Sequence, residues 1–140
     1  MKTIATCDMR GWLCGAVLLA FAASVQAHHS FAMFDMSKSV SFQGTVKELQ
    51  WTNPHVWIEL TVEEKDGPVT YSFEGAAIAV LKRVGWTKDS IKAGDKITIV
   101  GHPYRNGRQG GSIDYLILAD GRKLGTGDAI PGALRVPGVQ

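Results

Sequence analysis

The fold of this 140-residue chain is decided by residues 55–63, which read HVWIELTVE. Apolar and polar residues alternate along this stretch, and a period of two is typical of a half-buried β-strand. One face carries only aliphatic side chains. The opposite face carries His55, Trp57, Glu59, Thr61 and Glu63. The stretch therefore predicts a strand with one side in the core and one side open to a ligand or to solvent.

The segments next to this strand continue the β pattern. Residues 65–68 have turn chemistry and lead into an alternating stretch at residues 69–74, which predicts a hairpin. Upstream, residues 40–51 predict a long strand whose inward positions change parity between Val46 and Leu49. A change of parity within one strand requires a β-bulge or a bend.

The second half of the chain adds a helix and two strands. Apolar residues recur at helical spacing over residues 77–84, and Gly85 follows in the position that ends a helix. Residues 96–102 and 112–118 predict two further strands, joined by a long loop at residues 103–111. The predicted order is therefore strand, strand, strand, helix, strand, strand.

This order predicts an all-β domain with one short helix, a five-stranded OB-like barrel over residues 40–124. A small sandwich or an SH3-like barrel is the main alternative. Residues 28–39 would form an N-terminal arm, and the glycine- and proline-containing residues 125–140 a flexible tail. Ligands of OB barrels usually contact the face of strands 2 and 3 and the loops that join strands 1 to 2 and 4 to 5.

Residues 1–27 have the pattern of an export signal. Lys2 and Arg10 precede an apolar run at residues 12–23, and small residues stand just before a predicted cleavage site after Ala27. The apolar run is shorter than the roughly 20 residues that a membrane-spanning helix needs. We therefore expect a periplasmic or secreted product without a membrane span.

Composition excludes several function classes. The formal net charge of +2 gives no electrostatic reason to expect a nucleic-acid partner. Both cysteines, Cys7 and Cys14, belong to the predicted signal peptide, so the processed chain would have neither a disulfide nor a thiolate ligand. No catalytic motif is present, and we expect the carboxylates of Glu59 and Glu74 to be solvated. A binding protein is favoured over an enzyme.

The predicted cleavage site gives the chain its most specific candidate chemistry. Cleavage after Ala27 would make His28 the first residue, and its free amine and ring nitrogen would then form a chelate for Cu(II). A further imidazole would complete a planar nitrogen set, and a thioether would suit Cu(I). The candidate copper ligands are His28, His29, His55, His102 and Met33. Copper binding is therefore the leading hypothesis, with a copper carrier preferred over a copper enzyme.

Each histidine also has a structural alternative. His28 and His29 would be a solvated chain end if cleavage fell elsewhere, and His55 and His102 would hydrogen-bond within their own loops. A metal-free binding module follows as the second hypothesis. Aromatic rings on strand 2 and its flanking loops would stack a small planar ligand, a glycan or a protein partner of the cell envelope, and nearby arginines would contact anions. Its candidate residues are Trp51, Asn53, Trp57, Tyr104, Arg105 and Arg108.

Four short motifs carry a resemblance to a known family. They are His28-His29-Ser30-Phe31, Trp51-Thr52-Asn53-Pro54-His55, Gly85-Trp86 and Lys92-Ala93-Gly94-Asp95. In combination they resemble the signature of a family of small exported bacterial proteins catalogued as a domain of unknown function. The resemblance covers nearly the whole chain after residue 27 and implies no established activity. The fold alone is similar to that of small periplasmic copper carriers built on an OB barrel, whose motif this chain does not reproduce position by position.

Overall fold

The computed structural model describes residues 31–127. The chain divides into two units after Met33. The described part of the first unit is the 3-10 helix Phe31–Met33, and the barrel belongs to the second unit. The predicted signal peptide, the candidate ligands His28 and His29, and most of the predicted tail lie outside the described residues. These three features therefore stay predictions.

The described residues form β-strands and one α-helix. They are β1 (Val40–Gln50), β2 (Trp57–Glu64), β3 (Gly67–Glu74), α1 (Ile78–Arg83), β4 (Lys96–Pro103), β5 (Gly110–Leu118) and β6 (Lys123–Gly125). The predicted order of three strands, a helix and two strands is confirmed. The short β6 has no counterpart in that order, because three residues are too few for an alternating pattern to be recognised.

Five of the strands close into a barrel. Antiparallel pairing joins β1 to β2, β2 to β3, β1 to β4 and β4 to β5. A parallel pairing between β3 and β5 closes the ring, and β6 pairs with β5. The helix lies between β3 and β4 in the chain, as in an OB barrel. The predicted fold class is therefore confirmed.

The predicted irregularity in β1 is a bulge. The register of β1 against β2 shifts between Val46 and Glu48. Residues 40–45 pair with β4, whereas residues 45–50 pair with β2. A bulge bends the strand that contains it, so β1 takes part in both halves of the barrel.

Apolar side chains from the strands and from α1 form one core. The buried cluster comprises Val46, Val56, Ile58, Leu60, Phe73, Leu81, Trp86, Ile91, Ile97, Ile99, Ile113 and Leu116. Full burial of a large aliphatic or aromatic side chain stabilises a fold by about 1.5–3 kcal/mol. Trp86 Nε1 donates a hydrogen bond to the carbonyl oxygen of Gly125 at 2.8 Å, which fastens β6 to the core. Among residues 31–127, no helix has the length and apolar character needed to cross a membrane.

Candidate functional site

Strand register places one group of polar and aromatic side chains together on the outside of the barrel. Trp57 is opposite Glu74 and Glu59 is opposite Ser72 in the β2–β3 pair, and Glu74 is opposite Ser112 in the β3–β5 pair. Residues in register on neighbouring strands project from the same face of a sheet. We call this surface the β2–β3 face and define it by Trp57, Glu59, Ser72, Glu74 and Ser112.

Glu74 is a buried carboxylate that lies beside His55. Its exposed fraction is 9%, so the expectation of a solvated carboxylate is wrong at this position. The Nδ1 atom of His55 lies 3.2 Å from Glu74 Oε1 and 3.0 Å from the carbonyl oxygen of Gly75. A proton on Nδ1 is donated to these oxygens and fixes the orientation of the ring. The Nε2 atom of His55 has no hydrogen-bond partner among residues 31–127, and the side chain is 36% exposed.

Ser72 joins the β2–β3 face to the loop of residues 104–109. Its hydroxyl donates a hydrogen bond to Glu59 Oε1 at 2.7 Å. Its backbone N–H donates to the carbonyl oxygen of Gln109 at 3.3 Å. The loop that follows β4 is therefore held against β3, on the side of the barrel where OB proteins usually bind ligands.

Within this loop, Tyr104 and Arg108 form a packed pair. The guanidinium carbon of Arg108 lies 4.2 Å from the centroid of the Tyr104 ring, and its Nη2 donates to the Tyr104 hydroxyl at 2.7 Å. The ring of Phe34 packs against Tyr104, with centroids 5.0 Å apart. Burial raises the pKa of Tyr104, the charge and hydrogen bond of Arg108 lower it, and the carboxylates of Glu74 and Glu59 raise it. Tyr104 thus lies in the combined field of one guanidinium and two carboxylates.

His102 makes a different set of contacts from His55. Its Nδ1 atom lies 2.6 Å from the carbonyl oxygen of Lys38, and its Nε2 atom lies 3.2 Å from Asp114 Oδ2. Both ring nitrogens therefore face oxygen acceptors. As a metal ligand, His102 would have to give up one of these contacts.

The other predicted site residues are dispersed. Trp51 is partly buried and packs against the core. Asn53 Oδ1 accepts a hydrogen bond from the backbone N–H of Ile78, the first residue of α1, at 3.4 Å. Arg105 is exposed in the loop after β4. Met33 is 42% exposed in the 3-10 helix. Of the predicted ligand-binding residues, the structure brings Tyr104 and Arg108 into contact and places Trp57 in register with Glu74.

Four residues of the candidate site were not predicted as site residues. They are Glu59, Ser72, Glu74 and Ser112. Outward parity on β2 and β3 was the available signal for the first three. Ser112 becomes a neighbour of Glu74 only through the parallel β3–β5 pairing, which no local pattern in the sequence indicates.

The described part of the chain contains no ready metal centre. Within residues 31–127, no group of three or more histidine, cysteine, aspartate or glutamate side chains is arranged to hold a metal ion. The two described histidines instead have separate carboxylate partners, Glu74 for His55 and Asp114 for His102. The predicted copper ligands His28 and His29 lie outside this part of the chain.

The fold and the candidate site define a small OB-type barrel with a polar and aromatic outer face. Residues 16–113 match the model of a family of unknown function, DUF6152. This match covers more than half of the chain, so the chain belongs to that family and the resemblance to a family of unknown function is confirmed. No curated protein matches the chain.

Proposed function

We propose that this protein is an exported binding module that receives a ligand on the β2–β3 face. The observation that supports this proposal most strongly is the buried carboxylate of Glu74, which His55 contacts at 3.2 Å and which is in register with Trp57. A buried carboxylate must be offset by partners, and such groups occur often at functional sites. Glu74 is therefore a better candidate for recognition than a solvated surface carboxylate.

The surroundings of Glu74 suit a rigid binding surface. Trp57 and Glu59 project from β2, and Ser72 projects from β3, so their positions are set by strand pairing. The loop of residues 104–109 is fixed by the contacts of Ser72 with Gln109 and of Arg108 with Tyr104. Sites on such supported elements lose little conformational entropy when a ligand binds.

The test is a fragment screen followed by NMR on the ¹⁵N-labelled chain. We expect bound fragments to shift the indole signal of Trp57 and the amide signals of residues 72–74 and 104–109. Trp57→Ala should abolish the amide shifts, while Trp51→Leu, which changes a tryptophan that packs against the core, should leave both the indole and the amide shifts. Shifts confined to the cleft between Asp95, Leu118 and Arg122 would contradict the proposal.

The second candidate function is Cu(II) binding at the processed N-terminus, through the amine and ring of His28 and with His29 next to it. The observation that favours copper chemistry is the anchored ring of His55. Metal-binding histidines commonly donate the hydrogen on their other ring nitrogen to a carboxylate or a carbonyl oxygen. His55 has this arrangement at Nδ1 and keeps Nε2 for another partner.

Copper binding is tested by titrating Cu(II) into protein that a bacterial host has exported, with its mass checked for a start at His28. Electron paramagnetic resonance should show several nitrogen ligands, and His28→Ala should remove that signal. His102→Asn is the control, because both ring nitrogens of His102 already face oxygen acceptors. A start at another residue, or a copper signal that His28→Ala leaves unchanged, would contradict the hypothesis.

A further inference from the structure

We propose that the β2–β3 face recognises a cationic end group, a primary ammonium or a guanidinium, on its ligand. This inference rests on the proposed binding function of that face and adds the chemical class of the group that is bound. The observations behind it are the local charge, the aromatic neighbour of Glu74 and the buried hydroxyl of Ser112.

The local charge favours a cation over an anion. Glu59 and Glu74 contribute two carboxylates, and Arg108 contributes one guanidinium to the same field around Tyr104. The guanidinium of Arg108 is already committed, since it stacks on the Tyr104 ring and donates to its hydroxyl. A negative group on a ligand would meet the carboxylates of Glu59 and Glu74. Arg108 would not offset them, because its guanidinium is engaged with Tyr104.

The aromatic neighbour completes a familiar chemistry for cations. Trp57 is in register with Glu74 and is half-buried, so part of its indole is accessible. The face of an indole attracts ammonium and guanidinium groups through its negative quadrupole, and tryptophan is the best side chain for this contact. A cation bound here would have a carboxylate and an indole on adjacent strands.

Ser112 provides an independent indication of a ligand. It is 9% exposed, and its hydroxyl has no hydrogen-bond partner among the described residues. Its register partner on β3 is Glu74. A buried hydroxyl without a partner is unfavourable, so a hydrogen-bond donor that a ligand brings beside Glu74 gains an acceptor. A primary ammonium has three donors, enough for both carboxylates and this hydroxyl.

The experiment uses three probes that share one carbon chain and differ in charge. Butylammonium, butanol and butyrate are titrated separately into the ¹⁵N-labelled full chain at low ionic strength. We expect butylammonium to shift the indole signal of Trp57 and the amide signals of Glu59, Glu74 and Ser112. We expect butanol and butyrate to leave these signals in place. Added salt should weaken the butylammonium shifts, because exposed charges are screened.

Three variants test which residues recognise the cation. Glu59→Gln should weaken butylammonium binding about tenfold, through loss of a charge-assisted hydrogen bond. Ser112→Ala should weaken binding about threefold, while the variant unfolds at the same or a higher denaturant concentration. Glu63→Gln is the matched control, because it removes the same charge from an exposed position of β2 and should leave the affinity unchanged.

The outcomes separate this inference from the proposed function. Butanol or butyrate shifting Trp57 as strongly as butylammonium would overturn the preference for a cation, while a binding face would still be supported. The same effect from Glu63→Gln as from Glu59→Gln would also overturn the inference, because binding would then follow net charge alone. If none of the three probes shifts Trp57 while fragments from the screen do, the cation inference fails and the binding function stands. If fragments also leave Trp57 unchanged, both fail.

Discussion

The two described histidines lie in different places in the barrel, His55 just before β2 and His102 within β4. They also make different contacts. His55 donates from one ring nitrogen towards Glu74 and Gly75, keeps the other nitrogen without a described partner, and is 36% exposed. His102 directs both nitrogens at oxygen atoms, of Lys38 and Asp114, and is 15% exposed. A histidine whose two nitrogens are both engaged serves the fold, whereas one with a nitrogen to spare is suited to binding.

The surroundings of both histidines depend on the β3–β5 pairing, which closes the barrel. Glu74, the carboxylate beside His55, is the register partner of Ser112 across the β3–β5 pair. Ser112 is in turn the register partner of His102 across the β4–β5 pair. The closure of the barrel therefore supports the surroundings of both histidines, whereas the remaining contacts of each histidine are separate and can be altered one at a time by substitution.

The largest expected effect comes from disrupting the β3–β5 pairing at Gly110, the register partner of Ser72. The residue has φ +122°, and a Cβ atom there would lie 1.8 Å from the carbonyl oxygen of Ser72. Gly110→Ala should lower the free energy of unfolding by about 4 kcal/mol or more, because strain and a backbone clash act together. Denaturant unfolding measures this change. The NMR signals of both histidine regions should also shift in the variant.

Gly107→Ala is the matched control for this experiment. Gly107 also has a positive φ, +77°, but a Cβ atom there would meet nothing within 4 Å. The substitution should cost only about 1 kcal/mol, from the backbone conformation alone. Equal destabilisation by the two variants would show that the closeness of β3 and β5 does not matter to stability.

The second effect in size is the loss of the His102 contacts. His102→Ala should lower the free energy of unfolding by about 2 kcal/mol, because it leaves the Lys38 carbonyl and the Asp114 carboxylate without this donor. His102→Asn should recover about half of that loss, since its amide can replace the donor at Nδ1. Denaturant unfolding distinguishes the two variants. If Asn were no better than Ala, the contact with Lys38 would contribute nothing.

We expect the same two substitutions at His55 to affect ligand binding more than stability. We expect His55→Ala to cost about 1 kcal/mol of stability, because water can reach the half-exposed site and solvate Glu74 in place of the ring. The affinity of the β2–β3 face for butylammonium should fall more than stability does, since Glu74 loses the ring that positions it. His55→Asn keeps a donor near Gly75 but has no equivalent of Nε2. A greater loss of stability from His55→Ala than from His102→Ala in denaturant unfolding would show that His55, rather than His102, serves the fold.

The sequence indicates the barrel better than it indicates the site. Alternating apolar residues predict the strands of the barrel, and the change of parity between Val46 and Leu49 predicts the bulge in β1. These features depend on contacts between chain neighbours or consecutive strands, whose pattern is written locally. The hairpin turn, predicted at residues 65–68 and formed by residues 65–66 between β2 and β3, likewise sets the register that places Trp57 opposite Glu74.

The contacts that distinguish the two histidines could not be predicted in this way. Asp114 reaches His102 through the β4–β5 pairing, which contains its own irregularity between Val100 and Gly101. Ser112 meets Glu74 only because β3 and β5 pair in parallel. Register between strands that do not follow one another depends on how the whole barrel closes, and alternation within a strand carries no information about it. The sequence therefore indicates candidate histidines but does not indicate their partners.

The smallest expected effect is a loss of stability in acid at the turn of residues 35–38, whose Lys38 carbonyl oxygen contacts His102. The hydroxyl and the backbone N–H of Ser37 donate to Asp35 Oδ1 at 2.6 Å and 3.3 Å, and Lys38 Nζ lies 3.0 Å from Asp35 Oδ2. The hydrogen bond from Ser37, followed by that from Lys38, lowers the pKa of Asp35 from 3.8 to about 2. A carboxylate with a lowered pKa stabilises the fold fully above pH 3.8, and this contribution is lost as the pH falls through about 2.

The measurement is the pH midpoint of the Ser37 amide signal, which we expect near the pKa of about 2 for the wild type and absent from Asp35→Asn. Asp120→Asn is the control, because Arg122 lowers the pKa of Asp120 in the same way at a different turn and should leave Ser37 unaffected. A midpoint near 3.8, the ordinary value, would mean that the turn is open in solution. The Lys38 carbonyl would then not be held in place by this turn. His102 would lose the Lys38 contact that distinguishes it from His55.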